Sequence, residues 1–434
     1  MKELIKTILY EWKNKKLPST IKREISLQSY TATKPKKIIA INGFRRVGKT
    51  YLMYDLIKEL LKDKDREEIV YFNFEDERIP IKTEFLSQTI PTAKEAFEKD
   101  IKFLFLDELQ NIPQWSKWIR RIYDNEDITI FISGSSSKMS SREIPTELRG
   151  RFIEINILPL SFAEFLNFKN IKVDIISAQY TGEEKAKISK AIDEYARNGG
   201  LPEIVLAEDK KTEIAQSYYQ TTVRRDIIER HNIKNEESLK AMLLLLINSK
   251  EYSVNKIYNN LKSMNYKIGK TTIQNYIGYI ENSYFAFSTP IFSYKIKDRL
   301  QYPRKIYFID NIFLTILSTK QLPNYGRLYE NIVAVELLRR HKGRFYYWKN
   351  QLKEEVDFAV QNNESIQQLI QVCYDISDLS TKEREIRALL KASKELKCKD
   401  LLVITQDYSG EEMAEWFGIK EKIKYMTLWK WLLE

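Results

Sequence analysis

Residues 43–50 read Gly43-Phe44-Arg45-Arg46-Val47-Gly48-Lys49-Thr50, the pattern G-x-x-x-x-G-K-[ST] of a phosphate-binding loop, or P-loop. An apolar run typical of a buried parallel strand precedes the loop, and apolar residues recur at helical spacing after it. Backbone N–H groups in such a loop can cradle a polyphosphate. We expect Lys49 to neutralise the β and γ phosphates and Thr50 to bind Mg²⁺. A turn that matches by chance would lack this flanking strand and helix, so the sequence predicts a nucleotide site from Gly43 to Tyr51.

Two carboxylates follow a second apolar run. Residues 101–106 predict a buried strand, and Asp107 and Glu108 come directly after it. An aspartate at a strand tip can hold Mg²⁺ through water, and the neighbouring glutamate can orient and polarise an attacking water. The alternative is a strand that ends in solubilising acids, but the P-loop upstream favours the catalytic interpretation. We therefore predict Asp107 as a metal ligand, and Glu108 and Lys49 as catalytic residues.

Polar residues also flank the next two predicted strands. The strand at residues 128–134 brings Ser133 and Ser135 to its carboxyl end, where ligands bind in a doubly wound sheet. Arg149 and Arg151 precede a strand predicted at residues 152–157. Either arginine could be a finger that stabilises transition-state charge, in cis or from a neighbouring subunit. A surface cation near a helix end explains the arginines equally well.

The order of five motifs resembles that of archaeal and bacterial AAA+-type ATPases whose core is followed by a C-terminal domain of unassigned function. The motifs are G-F-R-R-V-G-K-T, F-L-D-E-L-Q, I-S-G-S-S-S, L-R-G-R and I-L-P-L-S-F-A-E-F-L. The resemblance implies a five-stranded parallel core with a helical lid. It also implies Ser133 or Ser135 as sensor 1, and Arg149 or Arg151 as the finger. Residues 199–202 resemble the G-G-x-P motif of the lid, although alone they predict only a turn between helices.

Bulk composition narrows the class of protein. The 434 residues, 43% hydrophobic and 30% charged, predict about two to four ordered domains. The net charge of +11 suits a polyanionic partner. The 2 cysteines and 2 histidines are too few for a disulfide framework, a zinc cluster or a Ser-His-Asp triad. No apolar run approaches the roughly 20 residues of a membrane span, so we expect a soluble, cytoplasmic protein without membrane contact.

Residues 236–322 predict a winged helix-turn-helix module. Helices are expected around residues 243–247, at residues 253–261 with Ser253 as the cap, and from Lys270 onward, followed by two strands. In and just before the third helix lie residue types that contact phosphates and base edges of DNA. These DNA-contact candidates are Lys267, Lys270, Thr271, Thr272 and Gln274. Packing against protein alone is the alternative, but the lysines nearby favour DNA.

Residues 323–434 resemble the restriction-endonuclease-like PD-(D/E)XK fold in the order of their predicted elements. The resemblance implies acidic positions at Glu330 and Asp357, and it places the (D/E)-x-K triplet where Gln371 and Cys373 stand. A Mg²⁺ nuclease needs converging carboxylates and a lysine beside the attacking water. An amide and a thiol replace two of these groups, so we expect a degenerate site that does not cut nucleic acid. A displaced lysine could compensate, and the candidates are Lys349, Lys353 and Lys382.

The whole sequence predicts an α/β protein that binds and hydrolyses ATP with Mg²⁺ and couples hydrolysis to DNA or to a partner protein. A finger acting in trans would require a homo-oligomer. The predicted segments are a helical leader (1–35), an AAA+ P-loop core with a parallel sheet (36–165), a helical lid (166–235), the winged helix (236–322) and the nuclease-like domain (323–434). Two alternatives stay open: a nucleotide-dependent switch with little turnover that acts through protein contacts, and an ATP-gated, metal-dependent nuclease.

Overall fold

The computed structural model describes residues 1–31, 33–134, 148–319 and 324–434. Its chain divides into two compact units. The first comprises Met1–Leu158 and Asn282–Tyr284, and the second comprises Pro159–Glu281 and Phe285–Glu434. Within the described ranges, no helix combines the length and the apolarity that a bilayer span requires.

The first unit alternates strands with helices. Its elements are α1 (Lys2–Asn14), β1 (Ile38–Gly43), α2 (Lys49–Leu60), β2 (Ile69–Asn73), α3 (Thr83–Phe97), β3 (Phe103–Asp107), α4 (Trp115–Asn125), β4 (Thr129–Gly134) and β5 (Phe152–Ile157). The strands form one 5-stranded sheet in the order β2-β3-β4-β1-β5, and every pairing is parallel. The parallel core that the resemblance implied is therefore confirmed.

This sheet has a buried centre, and its strand order positions the site. Strands β1 and β3 are buried along their whole length, as expected for parallel strands with both faces covered. The carboxyl ends of β1, β3 and β4 lie at the same edge because neighbouring strands run in the same direction. The expected leader helix is present as α1, which packs Ile5, Ile8 and Leu9 into the core of the unit.

The second unit is larger and mixed. Its elements are α5 (Phe162–Phe168), α6 (Gly182–Asn198), α7 (Pro202–Leu206), α8 (Lys211–Thr221), a π-helical segment (Thr222–Glu229), α9 (Glu236–Ile247), β6 (Glu251–Tyr252), α10 (Val254–Ser263), α11 (Lys270–Asn282), β7 (Ala286–Thr289), α12 (Ile296–Gln301), β8 (Arg304–Phe308), α13 (Asn311–Leu317), α14 (Tyr325–His341), β9 (Phe345–Lys349), β10 (Glu355–Asn362), β11 (Ser365–Val372), α15 (Leu379–Leu396), β12 (Leu401–Thr405), β13 (Gly410–Trp416), β14 (Ile419–Thr427) and α16 (Leu428–Leu433). The Ser253 hydroxyl caps α10 by accepting a hydrogen bond from the Lys256 N–H, as expected.

Two sheets organise the second unit. A 3-stranded antiparallel sheet has the order β6-β8-β7, and a 6-stranded mixed sheet has the order β13-β14-β12-β11-β10-β9. One buried cluster contains Tyr195 from α6, Tyr329 from α14 and Trp429 from α16. The segment predicted as a lid therefore shares its core with the C-terminal part, and the predicted domain boundaries remain predictions.

The turn between α6 and α7 is held by a buried carboxylate. Asp310 accepts hydrogen bonds from the Gly200 N–H at 2.7 Å and from the Ile312 N–H at 3.0 Å, where it caps α13. Gly199 has φ +73° and ψ −162°, a region that is essentially restricted to glycine. A Cβ atom on Gly199 would lie 1.6 Å from Asp310 Oδ1. The expected turn is present, and Asp310 explains why it needs a glycine.

Gly199→Ala should destabilise the protein by about 3 kcal/mol or more, because it combines backbone strain with displacement of a buried hydrogen-bonded carboxylate. Urea denaturation followed by circular dichroism measures the loss. Gly278→Ala is the matched control, because Gly278 lies within α11 and no atom lies within 4 Å of the added Cβ. This control should stabilise the helix by up to about 1 kcal/mol. Equal effects of the two substitutions would contradict the role given to Asp310.

Candidate functional site

The P-loop joins β1 to α2, and its two glycines have different reasons to be glycine. A Cβ atom on Gly43 would lie 2.3 Å from the Ile157 carbonyl oxygen, so neighbouring β5 leaves no room for a side chain. Gly48 has φ +98°, a left-handed conformation, and caps the amino end of α2. Between them, Phe44 and Val47 are buried and anchor the loop.

The other predicted P-loop residues are placed as follows. Arg45 forms an ion pair with Glu75 at 3.0 Å, Arg46 has a left-handed backbone with φ 68°, and Tyr51 is exposed on α2. The role of Arg45, Arg46 and Tyr51 in nucleotide binding stays a prediction.

The Lys49 ammonium folds back onto the loop. Nζ donates hydrogen bonds to the carbonyl oxygens of Gly43 at 3.1 Å and Phe44 at 3.2 Å. It also lies 3.8 Å from the Glu108 carboxylate, and the side chain is buried. Bonds to neutral carbonyls can be exchanged for stronger, charge-assisted bonds to a phosphate. Lys49 is therefore held where an incoming phosphate can recruit it.

Asp107 collects three hydroxyl groups at the tip of β3. Thr50 Oγ1 and the Tyr71 hydroxyl donate to Oδ2 at 2.6 Å and 3.0 Å, and the Ser133 hydroxyl donates to Oδ1. Burial and then the adjacent Glu108 raise the pKa of Asp107, and the Ser133 and Thr50 hydroxyls oppose that rise. Thr50 and Asp107 are thus in direct contact and offer hard oxygen donors, which fit Mg²⁺.

Glu108 is held in a strained conformation beside this cluster. Its φ of +53° is uncommon for a residue other than glycine. The Glu108 N–H donates to Ser133 Oγ at 3.2 Å, and the Gln110 amide donates to the Glu108 carboxylate. Strain of this kind persists where the surroundings fix it, and it concentrates at functional sites. Ser133 therefore connects both acids, whereas Ser135 lies outside the described residues.

The two arginines lie at the other end of the sheet. Phe152 pairs with Ile38 and Ile157 pairs with Gly43, so the residues before β5 lie beside the amino end of β1. The P-loop follows the carboxyl end of β1, roughly 16 Å away at about 3.3 Å per residue. Arg149 is exposed, and Arg151 lies 3.5 Å from Asp124. This distance argues against a finger in cis, while a finger in trans stays a prediction.

Two residues at this site were not predicted from the sequence. Tyr71, in β2, donates to Asp107 as described, and the Arg23 guanidinium donates to the carbonyl oxygens of Val47 and Leu158, each at 3.0 Å. A buried tyrosine hydroxyl needs a partner, so a tyrosine inside an apolar strand was the available signal. Arg23 lies in the leader and carries no motif that marks it.

In the second unit, α11 has one apolar face and one polar face. Ile273, Tyr276 and Ile277 are buried. The DNA-contact candidates Lys267, Lys270, Thr271 and Gln274 are exposed, and Thr272 is half-buried. The Lys270 ammonium lies 5.4 Å from the centre of the Tyr258 ring. A basic and polar surface is therefore available at the start of α11.

Glu330 and Asp357 converge, as the resemblance implied, but they converge on a lysine. Lys305 Nζ lies 2.9 Å from Glu330 Oε1, 2.7 Å from Asp357 Oδ1 and 2.7 Å from Glu355 Oε1. The Lys305 side chain is 1% exposed. Three compensating lysines were considered from the sequence. Lys349 reaches the edge of this cluster, where it pairs with Glu355 and also with Glu251. Lys382 pairs with Glu412 instead, and Lys353 is exposed.

Gln371 and Cys373 do not restore the missing chemistry. Gln371 Oε1 accepts a hydrogen bond from the Asp357 N–H at 3.2 Å, and its amide donates to Glu385. Burial raises the pKa of Cys373 to about 11, so its thiol stays protonated at neutral pH and supplies no charge. Among the described residues, no group of three or more His, Cys, Asp or Glu side chains is arranged to hold a metal ion.

Comparisons with known proteins show which proteins this chain resembles. A family model described as an AAA domain matches residues 35–166. The chain is 40% identical over 411 residues to the uncharacterized protein MJ1544 of Methanocaldococcus jannaschii. That alignment covers 92% of this chain and 89% of the other protein. The chain therefore belongs to the same protein family as MJ1544. It is also 30% identical over 366 residues to an uncharacterized protein of Haemophilus influenzae, covering 82% of this chain and 88% of that one.

Within this family member, residues 35–166 form a P-loop ATPase domain of the AAA type, a class of domain that binds nucleotides. Two models described as domains of unknown function match residues 189–322 (DUF8612) and 325–421 (DUF4143). Among solved structures, the Walker-type ATPase PABY2304 of Pyrococcus abyssi is similar at 12% identity and a TM-score of 0.47, covering 70% of this chain and 99% of that chain.

Proposed function

We propose that this protein binds and hydrolyses ATP at the P-loop of the first unit. The observation that carries the proposal is the convergence of the Lys49 ammonium, the Thr50–Asp107 pair and the Glu108 carboxylate at one edge of the sheet. Lys49 would bind phosphate, Thr50 and Asp107 would hold Mg²⁺, and Glu108 would polarise the attacking water. When bound, Mg²⁺ supplies positive charge that neutralises the phosphate oxygens. Ser133 would hold both acids in position through its two hydrogen bonds.

We further propose that ATP turnover is coupled to DNA bound at the start of α11. The chain order is α9, β6, α10, α11, β7, α12, β8, and the sheet order is β6-β8-β7. Apart from the short helix α12 between the last two strands, this order agrees with a winged helix-turn-helix, and the agreement supports the proposal. The polar face of α11 carries the residue types that contact phosphates and bases. A net charge of +11 favours a polyanion over a neutral partner.

Replacing Lys267 and Lys270 together with alanine should weaken DNA binding equally for unrelated sequences, because phosphate contacts carry no sequence information. The slope of log K against log salt should fall by about one unit for each phosphate that the variant no longer neutralises. Fluorescence anisotropy with two labelled duplexes over a salt series measures both quantities. The matched control removes Lys420 and Lys422, two exposed lysines on β14, and should leave the slope nearly unchanged.

ATP hydrolysis measured with and without DNA separates this proposal from its alternatives. DNA-stimulated turnover that Lys267→Ala and Lys270→Ala reduce supports coupling through α11. Turnover without stimulation, together with an unchanged salt slope, leaves an ATPase whose α11 packs against protein. Tight ATP binding without measurable turnover indicates a nucleotide switch instead.

A further inference from the structure

One buried ammonium organises the carboxylates of the second unit. Lys305 projects from β8, Glu330 from α14, and Glu355 and Asp357 from β10. All three N–O distances lie between 2.7 and 2.9 Å, so the three carboxylates point at a common centre, and Lys305 Nζ lies at that centre. Divalent cations are also bound by converging carboxylates in proteins, but at shorter distances of about 2.0–2.6 Å.

The charges around the centre keep the ammonium in place. Burial alone would lower the pKa of Lys305, but Asp357 and Glu330 outweigh burial and raise that pKa well above its ordinary value. Lys305 in turn helps to lower the pKa of Glu330 to about 2, against the opposite effect of burial. The group at the centre is therefore a permanent cation at physiological pH.

Neighbouring lysines and hydrogen-bond donors offset the remaining negative charge of the carboxylates. Lys250 lies 3.4 Å from Glu330, and Lys349 lies 2.9 Å from Glu355 and 2.8 Å from Glu251. Further donors occupy the remaining lone pairs. The Tyr307 hydroxyl donates to Glu330 at 2.9 Å, and the Val372 N–H donates to Asp357 Oδ2 at 3.0 Å. Few carboxylate lone pairs remain for a metal and its waters.

We propose that the Lys305 ammonium permanently takes the place of a divalent cation, so that this carboxylate cluster binds no metal in the native protein. A doubly charged ion cannot share the centre with a buried ammonium, because the two cations would repel each other at short range in a medium of low polarity. Mg²⁺ also demands an octahedral shell that includes several waters, and the Lys305 ammonium occupies the space in which that shell would form. The residues therefore do not fit the metal that a nuclease fold implies.

The presence of an ammonium in place of a metal ion has a structural consequence within the second unit. Lys305 belongs to the 3-stranded sheet, whereas the three carboxylates belong to α14 and to the 6-stranded sheet. The ion pairs thus fasten the segment that carries α11 to the C-terminal segment without any exchangeable ion. A metal would make this attachment depend on cation concentration, but an ammonium makes it permanent.

The test removes the ammonium and asks whether a metal replaces it. Lys305→Ala is made in the full chain with Asp107→Asn, so that the ATP site loses the carboxylate predicted to bind Mg²⁺. The comparison protein carries Asp107→Asn with Lys305 intact, so any signal from Glu108 is common to both. Tb³⁺ is the probe, because excitation of nearby tyrosines such as Tyr307 and Tyr347 sensitises its luminescence. We expect sensitised emission in Lys305→Ala and none above background with Lys305 present. Mn²⁺ at about 100 times its Kd should raise the Tm of Lys305→Ala by about 3–5 °C, without stabilising the Lys305 protein.

A double variant and a refolding measurement keep the outcome decisive if Lys305→Ala folds poorly. Lys305→Met combined with Asp357→Asn removes one charge of each sign, and it should fold but show little cation response. Lys305→Ala should then regain its circular dichroism signal in Mn²⁺, and failure to do so contradicts the proposal. Tb³⁺ or Mn²⁺ binding by the Lys305 protein that disappears in Asp357→Asn would overturn it. Mg²⁺- or Mn²⁺-dependent DNA cleavage that disappears in Asp357→Ala would also overturn it and would make Lys305 a relocated catalytic lysine.

Discussion

Lys49→Ala is expected to bind ATP about 100-fold more weakly than the parent protein. Lys49 is the P-loop side chain whose ammonium already lies between the loop carbonyls and the second acid, 3.1 Å from the Gly43 oxygen and 3.8 Å from Glu108. A buried charge-assisted hydrogen bond contributes about 1.5–3 kcal/mol, which corresponds to roughly a 10- to 150-fold change in affinity. Isothermal titration with ATP and Mg²⁺ measures the change directly.

The matched control for this prediction is Lys62→Ala. Lys62 lies directly after α2, is exposed and pairs with Glu59 at 2.7 Å, so its loss removes the same charge from the same region. Its affinity for ATP should stay close to that of the parent protein. Equal binding by Lys49→Ala and Lys62→Ala would mean that the backbone of the loop alone holds the nucleotide, and that the role proposed for Lys49 is wrong.

The architecture of the first unit could be predicted closely because its signals are local. Each strand is a short, mainly apolar run, and polar residues at or near the carboxyl ends of β1 to β4 mark the boundary. The strand expected at residues 152–157 is observed at Phe152–Ile157, and the helix expected at Lys49 begins there. The contact between Thr50 and Asp107 also follows from the motifs, because both lie at the same edge of a parallel sheet.

Strand register decided what the sequence could not show about the arginines. Arg149 and Arg151 stand next to a core strand, which is consistent with a finger in cis as well as in trans. Only the parallel pairing of β5 with β1 reveals that they precede the strand end that lies away from the P-loop. Proximity along the chain thus did not translate into proximity in space.

Lys305 was missed for a related reason. The sequence of β8 predicts a strand, and the alternation of Lys305 with Tyr307 places them on one face of it. A single strand cannot tell which element covers that face, and the covering residues come from α14 and β10, later in the chain. A lysine on the same strand face as a tyrosine, within a short strand, was the available signal, because a lysine is seldom fully buried without a partner.

Strands β13 and β14 were missed because their composition hides them. Residues 410–424 carry many Glu and Lys side chains and lack the regular apolar alternation of a half-buried strand. The pair lies at the edge of the 6-stranded sheet, where β13 has β14 as its one neighbour among the described strands. An exposed edge strand tolerates charge and is protected by it, so polarity there does not argue against a strand.

Glu108→Gln is expected to retain ATP binding but to lower the rate of hydrolysis by about 10²–10⁴-fold, the usual contribution of a positioned general base. The amide keeps the shape of the side chain and can still accept the hydrogen bond from Gln110, so the strained backbone at φ +53° should be preserved. It cannot polarise or deprotonate a water. Release of phosphate under saturating ATP and Mg²⁺ measures turnover, and isothermal titration measures binding in the same preparation.

Glu84→Gln is the matched control, because Glu84 is exposed in the first turn of α3 and makes the same change of charge without touching the site. It should hydrolyse ATP at the parent rate. Ser133→Ala adds an independent check on the same geometry: it removes the hydroxyl that contacts both Asp107 and the Glu108 N–H, so it should lower the rate less than Glu108→Gln does. Hydrolysis by Glu108→Gln at the parent rate would show that Glu108 is not the catalytic carboxylate. Asp107, which contacts Thr50, would then be the acid to test next.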